Sequence, residues 1–332
     1  MQPLRSLSII GGGSWATALV KIFSESKNIV TWYLRSQHHV DYLLANNRNP
    51  NYLGFLELDL HYIRPTSLAE EAIGASDDIL FAVPSSYLES TTAMLDENIF
   101  QHKRLYVSIK GTAGNQSLVP SVFLSKKFNL AVSEIVVLAG ACHAEEIAVG
   151  RKTYLTISGH DENIVNSMAN AISSPYITVI KNNDPTGVEF AAILKNVIGI
   201  VSGMVKGLNY GDNFLAVVIS NAMREIKNFL QATDNRERDL YNSAYFGDLL
   251  VTAYSEFSRN RTFGNMIGRG YSVTAAESRM SMVAEGFPAV KGMYLAAKKS
   301  GIAMPVLSSV YRILYEHAAP FSEFKLLEKQ LQ

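Results

Sequence analysis

The sequence predicts an α/β fold, in which a doubly wound, mostly parallel sheet is followed by a domain that is entirely helical. Short apolar strands alternate with helical segments through the first half of the chain, a pattern typical of parallel sheets covered by helices on both faces. A glycine-rich turn follows the first of these strands, and the strand pattern stops after about Asp184. We therefore expect two domains, residues 1–183 and residues 184–332.

Composition indicates an ordinary globular protein. The chain has 332 residues, of which 48% are hydrophobic and 18% charged, and this balance excludes a disordered chain. Lys plus Arg and Asp plus Glu number 30 each, so no net charge favours nucleic acid or a membrane surface. A single cysteine fits a reducing cytosol, and no apolar run approaches the ~20 residues that cross a bilayer. We predict a cytoplasmic protein without a secretory signal or an integral membrane segment.

Seven predicted strands make up the first domain. Each is a short run rich in Val, Ile, Leu and aromatic residues. They are Leu7–Ile10, Ile29–Leu34, Asp78–Val83, Leu105–Ile109, Ile135–Ala139, Tyr154–Ser158 and Ile177–Ile180. Because ligands of such sheets collect at the carboxyl ends of the strands, we expect functional residues directly after each strand.

The turn after the first strand is suited to bind a pyrophosphate. Gly11, Gly13 and Ala16 match the G-x-G-x-x-G/A fingerprint of Rossmann-type dinucleotide-binding domains. Ser14 begins the predicted helix, whose free N–H groups and positive dipole end attract anions. Glycine-rich turns also join strands to helices without a ligand, but the position between the first strand and the first helix favours a dinucleotide site.

Two cationic residues also follow predicted strands. Arg35 occupies the position where an NAD-selective site usually has Asp or Glu, and its guanidinium group suits the 2′-phosphate of NADP. The alternative is an exposed arginine without a ligand, so NADPH is favoured and NAD remains open. Lys110 ends another strand beside Gly111, which permits a close approach of the backbone. We interpret Lys110 as functional, although most lysines at strand ends are merely solvated.

The second half of the chain consists of predicted helices with apolar residues three or four apart. They are Pro185–Asn209, Asn213–Gln231, Glu237–Phe257, Ala275–Ala284, Phe287–Ser300, Pro305–His317 and Ser322–Leu331. Lys195 and Asn196 interrupt the apolar face of the first helix. Desolvation lowers the pKa of a lysine and makes it a competent proton donor and acceptor near neutral pH. The alternative is that the side chain reaches solvent along the surface of the helix.

A dense group of polar residues follows in the helical half. Asp248 and Thr252 are four residues apart, so they share one face of a helix. The turn-like segment Ser258–Arg261 then offers a hydroxyl, an amide and two guanidinium groups, and guanidinium suits a phosphate better than the point charge of lysine. A solvated basic loop is the alternative, which the nearby Asp248 and Thr252 make less favoured.

These segments together resemble the bacterial type of NAD(P)-dependent glycerol-3-phosphate dehydrogenases over nearly the whole chain. The matching segments, in the order of the family, are 11–18 (GGGSWATA), 108–111 (SIKG), 139–144 (AGACHA), 194–197 (LKNV), 207–213 (GLNYGDN), 247–249 (GDL), 258–261 (SRNR) and 283–286 (VAEG). The resemblance implies reversible reduction of dihydroxyacetone phosphate to sn-glycerol 3-phosphate, which supplies the glycerophospholipid backbone. It also implies NADP or NAD as the cofactor.

The resemblance further implies roles for individual residues, with Lys195 as proton donor and acceptor and with Lys110 and Asp248 as the other catalytic residues. The small phosphorylated substrate would contact Lys110, Gly140, Cys142, Lys195, Asn196, Asp248, Thr252, Ser258, Arg259 and Asn260. The cofactor would contact Gly11, Gly13, Ser14, Trp15, Arg35, Lys110, Ala144, Arg259, Val283 and Glu285. No metal is expected. Helical domains of this size often dimerise, so we expect a homodimer.

Two departures from the family pattern stand out. Cys142 replaces the usual Ser or Thr, and a thiol is a weaker hydrogen-bond donor than a hydroxyl. Ala16 replaces the usual glycine, which the fingerprint tolerates. Two other classes of function stay open: a hydroxyacid dehydrogenase in which Arg259 binds a carboxylate, and a non-catalytic nucleotide sensor, which would have no need of a proton donor such as Lys195.

Overall fold

The structure is a computed structural model that describes residues 6–114, 117–280 and 282–332. It divides into two compact units, the first formed by Met1–Ile109 with Val119–Val188 and the second by Lys110–Leu118 with Glu189–Gln332. This division differs from the predicted boundary after residue 183 in two respects. It falls five residues later, and it assigns the short segment Lys110–Leu118 to the helical unit.

The first unit is built on a sheet of eight strands in the described part of the chain. The strands are β1 (Ser6–Ile10), β2 (Ile29–Tyr33), β3 (Ile63–Thr66), β4 (Asp78–Phe81), β5 (Arg104–Val107), β6 (Ile135–Ala139), β7 (Thr153–Ser158) and β8 (Ile177–Asn182). Their order in the sheet is β3-β2-β1-β4-β5-β6-β7-β8. Neighbours are parallel apart from β6 and β7, which are antiparallel. The strand order therefore reverses between β1 and β4, where such sheets bind their ligands.

The helices of the first unit connect these strands. They are α1 (Ser14–Glu25), α2 (Gln37–Asn46), α3 (Ala69–Gly74), α4 (Ser85–Thr92), α5 (Pro120–Phe128), α6 (Ala144–Ala148) and α7 (Glu162–Ile172). The predicted doubly wound, mostly parallel α/β sheet is confirmed. Sequence reasoning missed β3, because Arg64 and Pro65 interrupt its apolar pattern. As an edge strand paired only with β2, it tolerates a proline that donates no hydrogen bond.

The second unit is helical, as predicted. Its helices are α8 (Pro185–Gly207, with its first turn in the first unit), α9 (Gly211–Thr233), α10 (Asp248–Tyr254), α11 (Arg259–Gly268), α12 (Val273–Ser278), α13 (Gly286–Lys299), α14 (Pro305–Tyr315) and α15 (Pro320–Glu328). Contrary to the expectation that no apolar run approaches the length of a membrane span, helix α8 is long and apolar enough to cross a membrane by length and composition. Nearly all of this helix is buried within the protein. A buried apolar helix of this kind is usual at the centre of a folded domain.

Three local predictions in this unit are wrong, two in the bounds of a helix and one in the type of element. The predicted helix Glu237–Phe257 starts late, because Asn242 accepts a hydrogen bond from the backbone N–H of Ala244 and begins a π-helical turn, Ser243–Gly247, ahead of α10. The predicted helix Ala275–Ala284 is replaced by α12, which is capped by Ser272. The predicted turn Ser258–Arg261 instead begins a helix, α11, capped by Ser258.

A buried carboxylate holds the start of α14 against α9. Glu225 accepts hydrogen bonds from the backbone N–H groups of Val306 at 2.6 Å and Leu307 at 3.2 Å. These N–H groups lie in the first turn of the helix and have no partner within it. Burial raises the pKa of Glu225 to about 7, and the two N–H groups only partly oppose this rise.

The raised pKa predicts a pH-dependent contribution of Glu225 to stability. The folded state binds this proton more tightly than the unfolded chain does, so the contribution is present below the ordinary carboxyl pKa and is lost as pH rises through about 7. We expect Glu225→Gln to remove up to about 3 kcal/mol of this pH dependence in urea unfolding. Glu237→Gln, at an exposed site, is the control, and an identical pH dependence in Glu225→Gln and the wild type would contradict the prediction.

Candidate active site

The glycine turn after β1 depends on glycine at Gly11 and leaves open space at Gly13. Gly11 has φ +140°, and a Cβ at this residue would lie 2.5 Å from the carbonyl oxygen of Ala82. Only glycine fits there. Gly13 precedes α1, and a Cβ added to it would meet no described atom within 4 Å. The backbone is therefore open to a ligand at the N-terminus of α1, which fits the phosphates of a dinucleotide.

Side chains hold all three carbonyl groups of this turn. The indole Nε1 of Trp32 donates to the oxygen of Gly11 at 2.7 Å, and Nδ2 of Asn49 donates to the oxygen of Gly12 at 3.0 Å. The hydroxyl of Thr17 donates to the oxygen of Gly13 at 2.9 Å. Sequence reasoning missed Trp32, Asn49 and Thr17, because these contacts have no spacing that would show them in the chain.

Other predicted cofactor residues lie near the carboxyl ends of the strands. Ser14 and Trp15 open α1, and the indole N–H of Trp15 donates to Ser108 Oγ at 2.8 Å, next to β5. Arg35 follows β2 and is exposed, with its guanidinium carbon 5.9 Å from the ring centre of Tyr87. Tyr87 on α4 has no signal in the sequence that would have identified it.

The residues after β6 that are predicted to contact ligands make some of their contacts within the protein. Gly140 has φ +132°, and a Cβ there would lie 2.7 Å from the carbonyl oxygen of Tyr154 on β7. Cys142 is buried, and its thiol donates to the carbonyl oxygen of Gly140 at 3.3 Å. Ala144 begins α6. The thiol of Cys142 therefore bonds to its own turn.

In the second unit, Lys195 and Asp248 form a buried ion pair. Lys195 lies on α8 and Asp248 begins α10, and Nζ of the lysine donates to Oδ1 of the aspartate. Their side chains are only 5% and 1% exposed, so Lys195 does not reach solvent. The second oxygen of the carboxylate, Oδ2, is buried and accepts no hydrogen bond from the described residues. Because buried polar atoms are almost always satisfied, this oxygen is suited to a ligand.

Lys110 belongs to the same unit as this pair. Nδ2 of Asn196, the residue after Lys195, donates to the carbonyl oxygen of Lys110 at 2.7 Å. Gly292 on α13 lets the segment that follows Lys110 pack closely against this helix, since a Cβ there would lie 2.7 Å from Oγ1 of Thr112. These two contacts explain why Lys110–Leu118 groups with the helical unit.

The predicted phosphate-binding residues gather around one turn of α8. Gly199 lies four residues after Lys195, on the same face of the helix. A Cβ at Gly199 would lie 3.0 Å from Cβ of Asn260, 3.1 Å from Cγ2 of Thr252 and 3.4 Å from Oγ of Ser258. The lack of a side chain at this residue lets the three polar groups approach the helix beside the ion pair.

The segment 282–286 is attached to the start of α11. Oδ1 of Asn260 accepts the backbone N–H of Gly286 at 2.8 Å, and Nη1 of Arg259 donates to the carbonyl oxygen of Val283 at 3.4 Å. Glu285 precedes α13 directly. Val283 and Glu285, predicted to contact the cofactor, thus lie beside residues predicted to contact the substrate.

Residues 6–165 match the N-terminal domain, and residues 184–324 the C-terminal domain, of the NAD-dependent glycerol-3-phosphate dehydrogenase family. A glycerol-3-phosphate dehydrogenase [NAD(P)+] of Clostridium botulinum is 34% identical over 330 residues, covering 98% of this chain and 99% of the relative. The chain belongs to this family. It is therefore an NAD(P)-dependent oxidoreductase, and the resemblance seen in its motifs is confirmed.

More distant members of the glycerol-3-phosphate dehydrogenase family agree. An enzyme of the same name from Exiguobacterium is 30% identical, with 99% of this chain and 96% of the relative covered. The crystal structure of glycerol-3-phosphate dehydrogenase from Coxiella burnetii has a TM-score of 0.90 at 25% identity, and the match covers 97% of this chain and 98% of that one. The family fold therefore extends through both units.

Proposed function

We propose that this enzyme reversibly reduces dihydroxyacetone phosphate to sn-glycerol 3-phosphate with NAD(P)H, and so supplies the backbone of glycerophospholipids. The buried pair of Lys195 and Asp248 supports this proposal. Lys195 shares a face of α8 with Gly199, around which the predicted phosphate-binding residues gather. Burying two charges opposes folding unless their geometry is good. In a glycerol-3-phosphate dehydrogenase such a pair has a chemical use, because its ammonium group can donate and accept a proton.

Lys195 is placed to move a proton at the C2 oxygen of the substrate. Bound NAD(P)H supplies the hydride that reaches C2. As negative charge develops on the C2 oxygen, the ammonium group of Lys195 stabilises it and then protonates it. Asp248 holds the ammonium through Oδ1, and the family resemblance assigns Lys110 a supporting catalytic role. In the reverse direction Lys195 accepts the proton of the C2 hydroxyl.

The start of α11 is suited to hold the phosphate of the substrate. Its first backbone N–H groups and the guanidinium group of Arg259 favour a dianion. Thr252, Ser258 and Asn260 surround Gly199 beside it, and Asn196 fixes Lys110 through its backbone carbonyl. Binding energy from the phosphate would position the carbon that reacts, which raises the rate as well as the affinity.

A substrate panel tests this proposal. We expect turnover of dihydroxyacetone phosphate with NADPH or NADH, and far less with 2-oxoacids or 3-oxoacids. Exclusive turnover of an oxoacid would show a hydroxyacid dehydrogenase instead. Tight binding of a dinucleotide without turnover of any substrate would favour a sensor.

Arg35 is proposed to favour NADPH over NADH. Replacement of Arg35 by Asp removes a cation that suits the 2′-phosphate and adds a repulsive charge. Since a hydrogen bond to a charged group contributes roughly 1.5–3 kcal/mol, we expect NADPH to bind about 10–100-fold more weakly, with much less change for NADH. Titration of each reduced cofactor, followed by its nicotinamide fluorescence, measures both dissociation constants.

A matched control lies at the other end of the same strand. Lys27 is exposed just before β2 and has φ +60°, a conformation that Asp also tolerates. Lys27→Asp makes the same reversal of charge away from the predicted ligand edge and should leave the ratio of the two affinities unchanged. Equal losses for NADPH and NADH in Arg35→Asp would count against a contact with the 2′-phosphate.

We propose that residues 1–183 bind the dinucleotide and that residues 184–332, with Lys110, bind the substrate. The fingerprint after β1 supports the first assignment, and the cluster on α8 supports the second. A homodimer in the cytoplasm completes the proposal. Light scattering during gel filtration tests the oligomeric state, and cell fractionation tests the location.

A further inference from the structure

We propose that Asn49 is a positioning residue for the dinucleotide, because its carboxamide fixes the central peptide of the glycine turn. This inference rests on the proposed binding of NAD(P) at that turn. Asn49 lies in the connection that follows α2, 37 residues from Gly12 in the chain. Neither the fingerprint nor the family motifs quoted above include it.

The carboxamide of Asn49 uses its whole hydrogen-bonding capacity. The residue is 3% exposed. Its Nδ2 donates to the carbonyl oxygen of Gly12 at 3.0 Å and to Oγ1 of Thr17 at 2.9 Å. Its Oδ1 accepts the backbone N–H groups of Asn51 at 2.9 Å and Tyr52 at 3.2 Å. Two donors and two acceptors are all that an amide side chain offers.

The bond to Gly12 determines which way the next peptide faces. The carbonyl of Gly12 and the N–H of Gly13 belong to one planar peptide group, so an anchored oxygen also fixes the direction of the N–H. Glycines on both sides give this peptide little resistance to rotation. If it rotated, its carbonyl oxygen would face the phosphates and repel them, whereas the anchored form presents an N–H donor.

The two neighbouring carbonyl groups have anchors of their own. Trp32 holds the carbonyl of Gly11, and Thr17 holds that of Gly13. Asn49 therefore supplies the anchor for the remaining peptide and also bonds the hydroxyl of Thr17. The pyrophosphate is common to NADP and NAD, so Asn49 should support both cofactors equally.

Two substitutions distinguish the anchoring of the Gly12 carbonyl from a purely structural role of Asn49 in the loop that contains Asn51 and Tyr52. Asn49→Asp keeps an oxygen acceptor for Asn51 and Tyr52, which preserves the loop, but it loses both bonds that Nδ2 donates. Asn49→Ala loses all four bonds. Asn51→Asp is the matched control, since Asn51 lies in the same loop and its exposed side chain contacts His39, away from the glycine turn.

The experiment measures dissociation constants for NADPH and NADH by nicotinamide fluorescence, with thermal unfolding followed in parallel. We expect both Asn49 variants to bind both cofactors about ten-fold more weakly or worse, with an unchanged ratio between the two. Arg35→Asp, by contrast, should change that ratio. The loss in Asn49→Asp should persist at high salt, because screening weakens a repulsive charge but does not restore a missing donor. With saturating cofactor, kcat should stay near the wild-type value.

Three results would overturn the inference. Wild-type affinity in both Asn49 variants would show that the anchor is not needed. Wild-type affinity in Asn49→Asp with weak binding in Asn49→Ala would assign Asn49 to the loop alone, and recovery of Asn49→Asp at high salt would do the same. If the wild type bound neither dinucleotide, the proposed function itself would fail, which is a distinct outcome.

Discussion

Replacement of Lys195 by alanine is expected to lower turnover of dihydroxyacetone phosphate by about 10²–10⁴-fold, which is the usual contribution of a positioned proton donor. Binding of NAD(P)H should be nearly unchanged, because the predicted phosphate contacts of the dinucleotide lie on the glycine turn. Steady-state kinetics measure kcat, and nicotinamide fluorescence measures the affinity for the cofactor. Full activity in this variant would refute the role assigned to Lys195.

Lys206→Ala provides a matched control on the same helix. The side chain of Lys206 is 49% exposed, and its Nζ lies 3.3 Å from a carboxylate oxygen of Glu256. An exposed pair of this kind contributes little to stability. Lys206→Ala should therefore retain wild-type kcat and wild-type KM, whereas a large loss there would point to a general effect of removing cations from α8.

A second variant separates catalysis from stability. Lys195→Ala leaves Asp248 buried without its cation, and breaking a buried pair in this way typically costs about 3–5 kcal/mol. The double variant Lys195→Met with Asp248→Asn removes both charges and should regain much of the free energy of unfolding. We expect it to remain inactive. Recovery of activity together with stability would show that the pair acts only in folding.

The fold was predictable because its signals are local and periodic. Buried strands such as β6 are continuous apolar runs, and the long helix α8 has an apolar face that a 3.6-residue period reveals. Prediction failed where side chains compete with the backbone for hydrogen bonds. Asn242 starts a π-helical turn where a longer helix was expected, and Ser258 caps a helix where a turn was expected.

The candidate site was predictable in its residue types but not in its connections. The sequence predicts a functional role for Lys195 because a charged side chain is rare on an apolar face. Its pairing with Asp248 joins residues 53 apart in the chain, and no periodic pattern encodes such a contact. The bonds from Asn196 to Lys110 and from Asn49 to Gly12 likewise depend on loops that only the folded chain brings together.

The close approach of α8 and α11 is a further feature that the sequence did not reveal. A Cβ at Gly264 on α11 would lie 1.9 Å from the carbonyl oxygen of Ile200 on α8, and one at Gly203 would lie 2.0 Å from the carbonyl oxygen of Arg261. The two backbones therefore touch along a seam of glycines. This seam sets the position of the N-terminus of α11 against the turn of α8 that follows Lys195.

Gly264→Ala should consequently affect stability and substrate binding together. Its Cβ collides with backbone atoms, which cannot move aside as the end of a flexible side chain can, so α11 must shift away from α8. We expect a loss of about 3 kcal/mol in the free energy of unfolding, at the upper end for overpacked sites. Because Ser258 caps α11 and Arg259 and Asn260 begin it, KM for dihydroxyacetone phosphate should rise as well.

Gly74→Ala is the control for this substitution. Gly74 ends α3, and a Cβ there would meet no atom of the described chain within 4 Å. Alanine is the better helix former, so the free energy of unfolding of this variant should lie within ~1 kcal/mol of the wild-type value or slightly above it. Urea unfolding and steady-state kinetics of both variants measure the difference. Wild-type stability and wild-type KM in Gly264→Ala would mean that the two helices have room between them, and that the residues proposed to bind the phosphate do not depend on the glycine seam for their position.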